Sequence, residues 1–262
     1  MKLWVRLIFV YGLACLALVL GGCATQDPKT MTRADMQRRL GDIKLSKGQY
    51  ELAIREYRHS IQLYARDPDT HFGLAEAYRR KGLLDEAEAV LLEALSLDPA
   101  HQEARLNLGV VLLQKERWSD AIAQNRILLD DPTFPRPSRA LVNIGWAYYK
   151  SGDLQRAKSS FVEALSGDST NLEAHLDLGI VLYQLGEVVE AIRYFQRAVE
   201  VAEKRPVPAS VGIAAESRFR MAQAHVKLGQ LERAIEHLRV AAESGGNGEW
   251  GRKSKEYLQV LE

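Results

Sequence analysis

The fold is decided by the stretch ALVNIGWAYYKSGDLQRAKSSFVEAL, which occupies residues 140–165. It places the small Gly145 in its first half, Gly152 at its centre, and then Ala157 and the large Phe161 in its second half. Small residues let two helices approach closely, a central glycine suits the turn between them, and a large residue fills the gap toward the next pair. The stretch therefore predicts one helix–turn–helix unit.

The same pattern returns along the chain. The small residue of the first half recurs at intervals of 34, 34, 36, 34 and 43 residues. These positions are Gly41, Ala75, Gly109, Gly145, Gly179 and Ala222, and the matching turn positions are Gly48, Gly82, Glu116, Gly152, Gly186 and Gly229. A period of 34 residues is typical of the tetratricopeptide repeat, so residues 34–244 resemble that superfamily. We expect an all-α superhelix of about six such repeats, and prefer it to a generic helical bundle because six windows share several positions in register.

Some units depart from the pattern. Repeat three has Glu116 at the turn and Asn125 where a large residue is expected. Repeats four to six lack a proline like the one after Asp98, so their second helices are expected to run longer. Nine extra residues before repeat six include Pro206 and Pro208, which favour a loop or a bent helix end.

The end of the chain predicts one more helix. Residues 245–248 are Gly-Gly-Asn-Gly, and apolar side chains at helical spacing follow from Trp250 to Leu261. We expect a helix from about Glu249, and residues 245–262 are predicted to cap the open end of the repeat stack.

The first 22 residues have the layout of a secretory signal, with two basic residues before an apolar run from Leu7 to Leu20. A membrane-spanning helix is the alternative, but spanning needs about 20 apolar residues and this run is shorter. The run ends in Leu-Gly-Gly-Cys, which resembles a bacterial lipobox and implies cleavage before Cys23 and lipid on its sulfur. Several acyl chains would anchor the protein durably. Residues 23–33 are then a short tether, and Ala24 favours the outer membrane.

Composition excludes several classes of function. Lys and Arg total 35 against 34 Asp and Glu, which leaves no basic surplus for nucleic acid. The two cysteines, Cys15 and Cys23, both lie in the N-terminal segment, so thiol chemistry further along is excluded. The histidines form no zinc motif, and neither a phosphate-binding glycine loop nor a nucleophile elbow occurs. We therefore expect no enzyme, no metal, no cofactor and no small-molecule substrate.

A binding surface is predicted on the inner, concave face of the first helices, at their second, fifth, ninth and twelfth positions. Repeats one and two carry mainly charged residues there, with Leu45 and Phe72 as exceptions. Repeats three to five are apolar, and the predicted partner-binding residues are Phe72, Leu106, Val110, Leu113, Val142, Trp146, Tyr149, Leu176, Ile180 and Tyr183. Contiguous exposed apolar surface marks an interaction site. The alternative is that the superhelix closes and these side chains pack on one another.

The kind of ligand can also be narrowed. Tetratricopeptide grooves that clamp a C-terminal carboxylate resemble one another in having Lys and Asn at the fifth and ninth positions, whereas this chain has apolar residues at most of them. An extended strand or an amphipathic helix with apolar anchors fits this groove better.

A more specific resemblance lies between repeats three and four. Residues 130–145 read DDPTFPRPSRALVNIG, which is similar to the signature of the type IV pilus pilotin lipoproteins, the PilF/PilW/Tgl family. The matching residues of this motif are Asp131, Pro132, Phe134, Pro135, Pro137, Arg139, Leu141, Asn143 and Gly145. Three prolines also stiffen the connection, so the motif can be structural.

The pilotin resemblance implies a lipid-anchored protein on the periplasmic face of the outer membrane. Such a protein helps secretin subunits reach the membrane and assemble into the exit ring of the pilus, which serves pilus-driven motility. The apolar groove would hold an unassembled secretin segment whose strand edges otherwise invite aggregation. The alternative is a tetratricopeptide lipoprotein scaffold for outer-membrane protein assembly or for cell-wall enzyme complexes.

Overall fold

The structure, a computed structural model, describes residues 27–204 and 206–262. Within these ranges the chain forms thirteen α-helices and no strand, which confirms the all-α prediction. The helices are α1 (Pro28–Ser46), α2 (Tyr50–Leu63), α3 (Pro68–Lys81), α4 (Leu84–Leu97), α5 (Gln102–Gln114), α6 (Trp118–Leu129), α7 (Pro137–Lys150), α8 (Leu154–Gly167), α9 (Leu172–Gln184), α10 (Val188–Lys204), α11 (Pro208–Lys227), α12 (Leu231–Gly245) and α13 (Glu249–Leu261). The predicted signal peptide and Cys23 lie outside the described residues.

The first twelve helices form six consecutive pairs. Each helix packs mainly on the one before and the one after it, and the first helices of neighbouring pairs also touch. The close approach within a pair depends on a small residue, as the sequence predicts. A Cβ atom on Gly145 of α7 would lie 2.6 Å from the ring of Phe161, which is fully buried on α8. Each unit thus buries its apolar face by stacking rather than by itself.

The turns inside the pairs share one backbone conformation. Gly82, Gly152 and Gly186 each have a φ between 81° and 86°, in the left-handed region that glycine adopts without strain. In repeat three Glu116 takes the same conformation, with a φ of 57°. The third unit therefore keeps the geometry of the others with a residue poorly suited to it.

Repeat three also replaces the large buried residue by a polar pair. Asn125 of α6 is fully buried, and its Nδ2 donates to the carbonyl oxygen of Ala121 at 2.8 Å. Its Oδ1 accepts from Nδ2 of Asn143 on α7 at 3.0 Å. Gly109 of α5 gives Asn125 the room that Gly145 gives Phe161. The departure seen in the sequence is thus accommodated by hydrogen bonds across two repeats.

Two helix ends differ from the predictions. Helix α1 begins at Pro28, inside the predicted tether 23–33, because Asp27 accepts a hydrogen bond from the Lys29 amide and Pro28 suits the first turn. Helix α8 has 14 residues, like α4, although no proline follows it. Asp168 ends it in an extended conformation and accepts from the amide and hydroxyl of Thr170, which starts a turn without proline.

The nine extra residues lengthen helices rather than forming a loop alone. Helix α10 has 17 residues, against 12 or 14 in the second helices of repeats one to four. Helix α11 has 20, against 13 or 14 in the first helices of repeats two to five. Pro208 occupies the first turn of α11, where its missing amide hydrogen costs nothing. The extension brings Ile213 against the core of repeats four and five.

Helix α13 begins at Glu249 and packs on α12 and α11. Phe219 of α11 meets the rings of Trp250 and Tyr257, with centroid distances of 5.3 and 5.9 Å. Among the described residues, no helix is long and apolar enough to cross a membrane, and no group of three or more His, Cys, Asp or Glu side chains is placed to hold a metal.

Candidate binding groove

The ten predicted groove residues are half-buried or buried, and none of them is fully exposed. Leu106, Val142, Leu176 and Ile180 are each at most 8% exposed. The other six are half-buried; they are Phe72, Val110, Leu113, Trp146, Tyr149 and Tyr183. The inner wall therefore packs partly on itself, as the alternative interpretation of the sequence holds, and only part of it faces open space.

The open part is a cavity of about 480 Å³ between α5, α7, α9 and the start of α11. It is lined by Val110, Leu113, Gln114, Trp118, Val142, Asn143, Trp146, Lys150, Glu173, Leu176, Asp177 and Ile213. A volume of this order suits one or two large apolar side chains of a ligand. We call this cavity and its lining the groove.

Five predicted residues contribute to the groove lining: Val110, Leu113, Val142, Trp146 and Leu176. The other five do not line the cavity, although Ile180, Tyr149 and Tyr183 pack in the same core cluster as Val142, Trp146 and Leu176. Leu106 belongs to a separate buried cluster with Leu128, Phe134 and Ala140, so it is covered by the loop before α7. Phe72 lies against His101, 5.5 Å between ring centroids. Tyr149, Ile180 and Tyr183 lie outside the cavity lining, although Tyr149 meets Trp146 edge to face at 5.0 Å.

Sequence reasoning missed Ile213, Asn143 and Asp177 as groove residues. Ile213 enters because α11 starts at Pro208, and the proline pair was a usable signal for that start. Asn143 and Asp177 stand at equivalent places in successive repeats, 34 residues apart. Asn143 finds a partner in Asn125, whereas the repeat-four counterpart of Asn125 is Phe161, which offers no hydrogen bond.

Asp177 is the most unusual polar group of the groove. Its side chain is almost fully buried, and its Oδ2 atom has no hydrogen-bond partner in the described part of the chain. Burial raises the pKa of Asp177 well above 3.8, and the nearby Glu173 and Glu216 raise it further, while the Trp146 indole opposes the shift. A buried carboxyl with a free acceptor is costly unless something pairs with it. The groove thus offers a ligand one unsatisfied polar atom beside an apolar pocket.

The cationic side chain of Lys150 borders the aromatic side of the groove. The Lys150 ammonium lies 5.4 Å from the Trp146 ring centroid and 5.9 Å from that of Tyr149. Cation–π contacts of this kind hold ring orientations in place. Trp146 is therefore presented by a fixed set of neighbours rather than as a loose surface ring.

The motif between repeats three and four is mainly architectural. Asp131 accepts from Nε2 of Gln102 on α5 at 2.6 Å and from the amide of Thr133 at 2.9 Å. Phe134 is buried, 6% exposed, and Pro137 fills the first turn of α7. The motif thus ties the start of α5 to the start of α7, and Asn143 continues it into the groove.

Other motif residues remain at the surface. Pro132, Pro135 and Arg139 are exposed, and no side-chain hydrogen bond or ion pair of Arg139 is found within residues 27–204 and 206–262. The motif therefore has a buried half that sets the joint and an exposed half available for contact.

A larger depression of about 810 Å³ lies at the turns of repeats three and four. Its lining is mixed, with Ser119, Ser151 and Asp153 among the polar residues, and Arg156 lies 4.6 Å over the Tyr148 ring. Apolar anchors of a polypeptide are better matched by the groove, whose walls are mainly aliphatic and aromatic.

Stacked helix pairs with an apolar inner pocket define a helical-repeat binding scaffold. Family models described as tetratricopeptide repeats match residues 85–135 and 142–211, 41–82, 68–101 and 215–243. The chain belongs to the tetratricopeptide-repeat family, whose domains mediate protein–protein interactions, and the predicted superhelix is confirmed.

Among curated proteins, the chain is 30% identical over 173 residues to a TPR repeat-containing protein of Methanocaldococcus jannaschii, a match that covers 62% of this chain and 30% of that protein. It is 27% identical over 163 residues to the CTR9 homolog of Arabidopsis thaliana, covering 15% of that protein. The chain thus spans less than a third of these two relatives. It is 24% identical over 188 residues to the type IV pilus assembly protein PilF of Pseudomonas aeruginosa, covering 69% of this chain and 75% of PilF.

Solved structures show the same fold. The structure of PilW, a widely conserved type IV pilus biogenesis factor, matches with a TM-score of 0.73 and 20% identity over 87% of this chain and 97% of PilW. The structure of Pseudomonas aeruginosa PilF matches with a TM-score of 0.68 and 18% identity over 87% of this chain and 99% of PilF. The superhelix, including its length, is therefore shared with both proteins.

Proposed function

We propose that this chain is an outer-membrane lipoprotein that acts as a pilotin in type IV pilus assembly. It would bind secretin subunits and promote their localisation and assembly. The observation that carries the proposal is the apolar groove set in a superhelix similar, over 87% of the chain, to PilW and PilF. The 24% identity to PilF and the motif from Asp131 to Asn143 give further support.

The proposed mechanism uses the groove as a holding site. An unassembled secretin segment would insert one or two apolar side chains between Val110, Val142 and Trp146. A donor on the same segment would meet the Oδ2 atom of Asp177. Such anchoring keeps an aggregation-prone segment covered until it pairs with other subunits.

Trp146 is the residue chosen for a binding test. Replacement of Trp146 by Ala is expected to weaken secretin binding by about 2 kcal/mol, about thirtyfold, because a half-buried aromatic in a pocket is a typical hot spot. Titration of purified secretin segments against both proteins measures the change. Leu92→Ala removes an exposed apolar side chain outside the groove and is the control. Unchanged affinity of a folded Trp146→Ala protein would remove the groove from the mechanism.

The cellular test deletes the gene. Heat-resistant secretin multimers and surface pili are expected to be lost, and persistence of both would contradict the pilotin role. Pull-down of the lipidated protein tests the alternative function. Recovery of barrel-assembly or cell-wall proteins without secretin would favour a general outer-membrane scaffold instead.

The anchor is part of the same proposal. Lipid on Cys23 would hold the protein on the periplasmic face of the outer membrane. The Cys23→Ala variant is expected to lose the lipid mass in mass spectrometry and to leave the outer-membrane fraction. A protein that stays in that fraction without Cys23 would contradict the proposed anchor.

A further inference from the structure

The outward face of α1 combines apolar and basic side chains. At about 100° per residue, an arc of about 100° on this helix contains Met36, Leu40 and Ile43, spaced four and three residues apart. The basic residues of the same arc are Lys29, Arg33, Lys44 and Lys47. The arc contains no acidic residue. We call this surface the α1 face.

The apolar side chains of the α1 face are exposed, with 58% of Met36, 41% of Leu40 and 48% of Ile43 accessible. Its four basic side chains make no ion pair or side-chain hydrogen bond within the described residues. The acidic residues of α1 lie on another side, where Asp35 and Asp42 pair with Arg38. Charge is thus segregated around the helix, and the α1 face keeps an unbalanced positive charge.

The two ends of the repeat stack are treated differently. At the C-terminal end α13 covers the apolar side of α11 and α12. At the other end α1 touches only α2 and α3 among the described helices, so its outer side stands where a further repeat would pack. Terminal repeats normally carry a polar outer face or a cap. The basic side chains of the α1 face suit a terminal repeat, whereas its three exposed apolar side chains remain without a cover in the described chain.

We propose that the α1 face lies on a lipid bilayer containing anionic lipids, and this rests on the proposed lipidation of Cys23. Only four residues lie between Cys23 and Pro28, so a lipid on Cys23 holds the start of α1 within about 18 Å of the anchored sulfur. The unpaired Lys and Arg side chains of the α1 face are complementary to anionic head groups, and Met36, Leu40 and Ile43 between them can contact the head-group region. The membrane surface is the cap of the N-terminal end, and it fixes the direction in which the stack rises from the bilayer.

A spin label tests the depth of the α1 face. The lipidated full-length product with Leu40→Cys is labelled and reconstituted in vesicles of phosphatidylcholine with a minority of phosphatidylglycerol. A label in lipid is reached by oxygen and shielded from a water-soluble nickel chelate. This pattern is expected at position 40, whereas a label placed by Val260→Cys on α13, at a site 77% exposed, stays open to the chelate. In a double variant with Lys44→Ser and Lys47→Ser, less of the label at position 40 should contact lipid. The ratio of label in lipid to label in water is expected to fall by about fivefold for each charge removed.

The accessibility of the label distinguishes whether lipid, water or protein covers the α1 face. A label at position 40 that remains open to the chelate overturns the inference, and one shielded from both reagents overturns it in favour of a protein cover such as a second copy. Mass spectrometry first verifies the lipid on Cys23, and its absence overturns the anchor together with this inference. Secretin binding is measured on the same protein in detergent. Retained secretin binding with a water-exposed label would reject the membrane contact alone.

Discussion

At the scale of single residues, Glu116 stores strain in the turn of repeat three. It is the one non-glycine residue of residues 27–204 and 206–262 with a positive φ, at 57°. This conformation costs an L side chain about 1 kcal/mol, which glycine avoids. We expect Glu116→Gly to raise the free energy of unfolding by about 1 kcal/mol, measured by chemical denaturation.

The matched control for this change is Glu116→Ala. Alanine also removes the carboxylate but keeps the Cβ atom and hence the strain. The alanine protein should therefore unfold close to the parent. A glycine protein no more stable than the alanine protein would show that the left-handed turn is not strained in solution.

The buried carboxyl of Asp177 predicts that the stability of the folded chain depends on pH. Its pKa is raised in the folded chain by burial, so the folded state holds a proton that the unfolded state releases near the ordinary value of 3.8. Stability contributed by this proton is lost as the pH rises from about that value through the folded pKa. The neutral Asp177→Asn protein is thus expected to gain stability relative to the parent as the pH increases. Unfolding curves of both proteins across a pH series measure the difference.

The difference between the two proteins isolates Asp177. The nearby Glu173 and Glu216 are present in both, and so is Arg220, which pairs with Glu216 at 3.1 Å. Their contributions that do not involve Asp177 cancel when the parent is subtracted, and the difference reports Asp177 together with its coupling to these neighbours. A stability difference that stays constant with pH would mean that the Asp177 carboxyl is solvated in solution.

Residue types at the repeat positions were predictable because a period of 34 residues places small, turn and large residues in register. The hydrogen-bond partner of Asn125 could not be predicted in this way. Asn125 is satisfied by Asn143 on another helix, and a hydrogen bond across two repeats leaves no periodic trace. The free oxygen of Asp177 has the same origin, since its neighbours depend on which side chain the preceding repeat supplies.

At the scale of helices, the spacing within a pair is set by glycine. A Cβ on Gly145 would come within 2.6 Å of the Phe161 ring, which is fully buried and cannot move away. We expect Gly145→Ala to destabilise the protein by about 3 kcal/mol through overpacking. Thermal unfolding with a calorimetric control measures the loss.

The same substitution elsewhere should have the opposite sign. Gly212 lies in α11, and a Cβ there would meet nothing within 4 Å. Gly212→Ala is expected to stabilise the helix by about 0.8 kcal/mol because glycine is a poor helix former. Stabilisation by both changes would argue that helix propensity and not packing governs these positions, and destabilisation by both would contradict the open space at Gly212.

The repeat pattern predicted where the helices occur. The residues at which they begin and end depend on capping and turn hydrogen bonds of single side chains. The start of α1 at Pro28 required recognising Asp27 as a capping residue. The end of α8 at Gly167 depends on hydrogen bonds that Asp168 makes without a proline. Both signals are single residues, and a search for period and proline passes over them.

At the scale of the whole molecule, α13 closes one end of the stack. Its Trp250, Tyr257, Leu258 and Leu261 are half-buried. Each is expected to contribute about 1 kcal/mol, so a chain ending at Asn247 should lose about 4 kcal/mol of stability. The midpoint temperature of thermal unfolding should therefore fall by about 10 °C for a chain of this size.

A point change at the same end controls for the truncation. Val260 is 77% exposed on α13, and Val260→Ser should leave the unfolding temperature within about 1 °C of the parent. A truncated chain that unfolds like the parent would show that α13 does not stabilise the stack.

The groove was predictable as an apolar wall but not as a cavity. Five of its residues followed from the position within the repeat. How much of the wall remains open depends on α11, whose extension carries Ile213 into the lining. That closure is set by the length of one inserted segment, and no residue pattern within the wall itself encodes it.

The asparagine bond of the third joint bears on how such a chain can be rearranged. In repeats one, four and five a glycine of the first helix meets an aromatic ring of the second helix in the same unit. The unit built on Gly109 and Asn125 instead ends in an amide that requires Asn143 from the unit after it. Transplanted alone, it would leave the Oδ1 atom of Asn125 without its hydrogen-bond partner. Any shuffled or shortened array must therefore keep repeats three and four together.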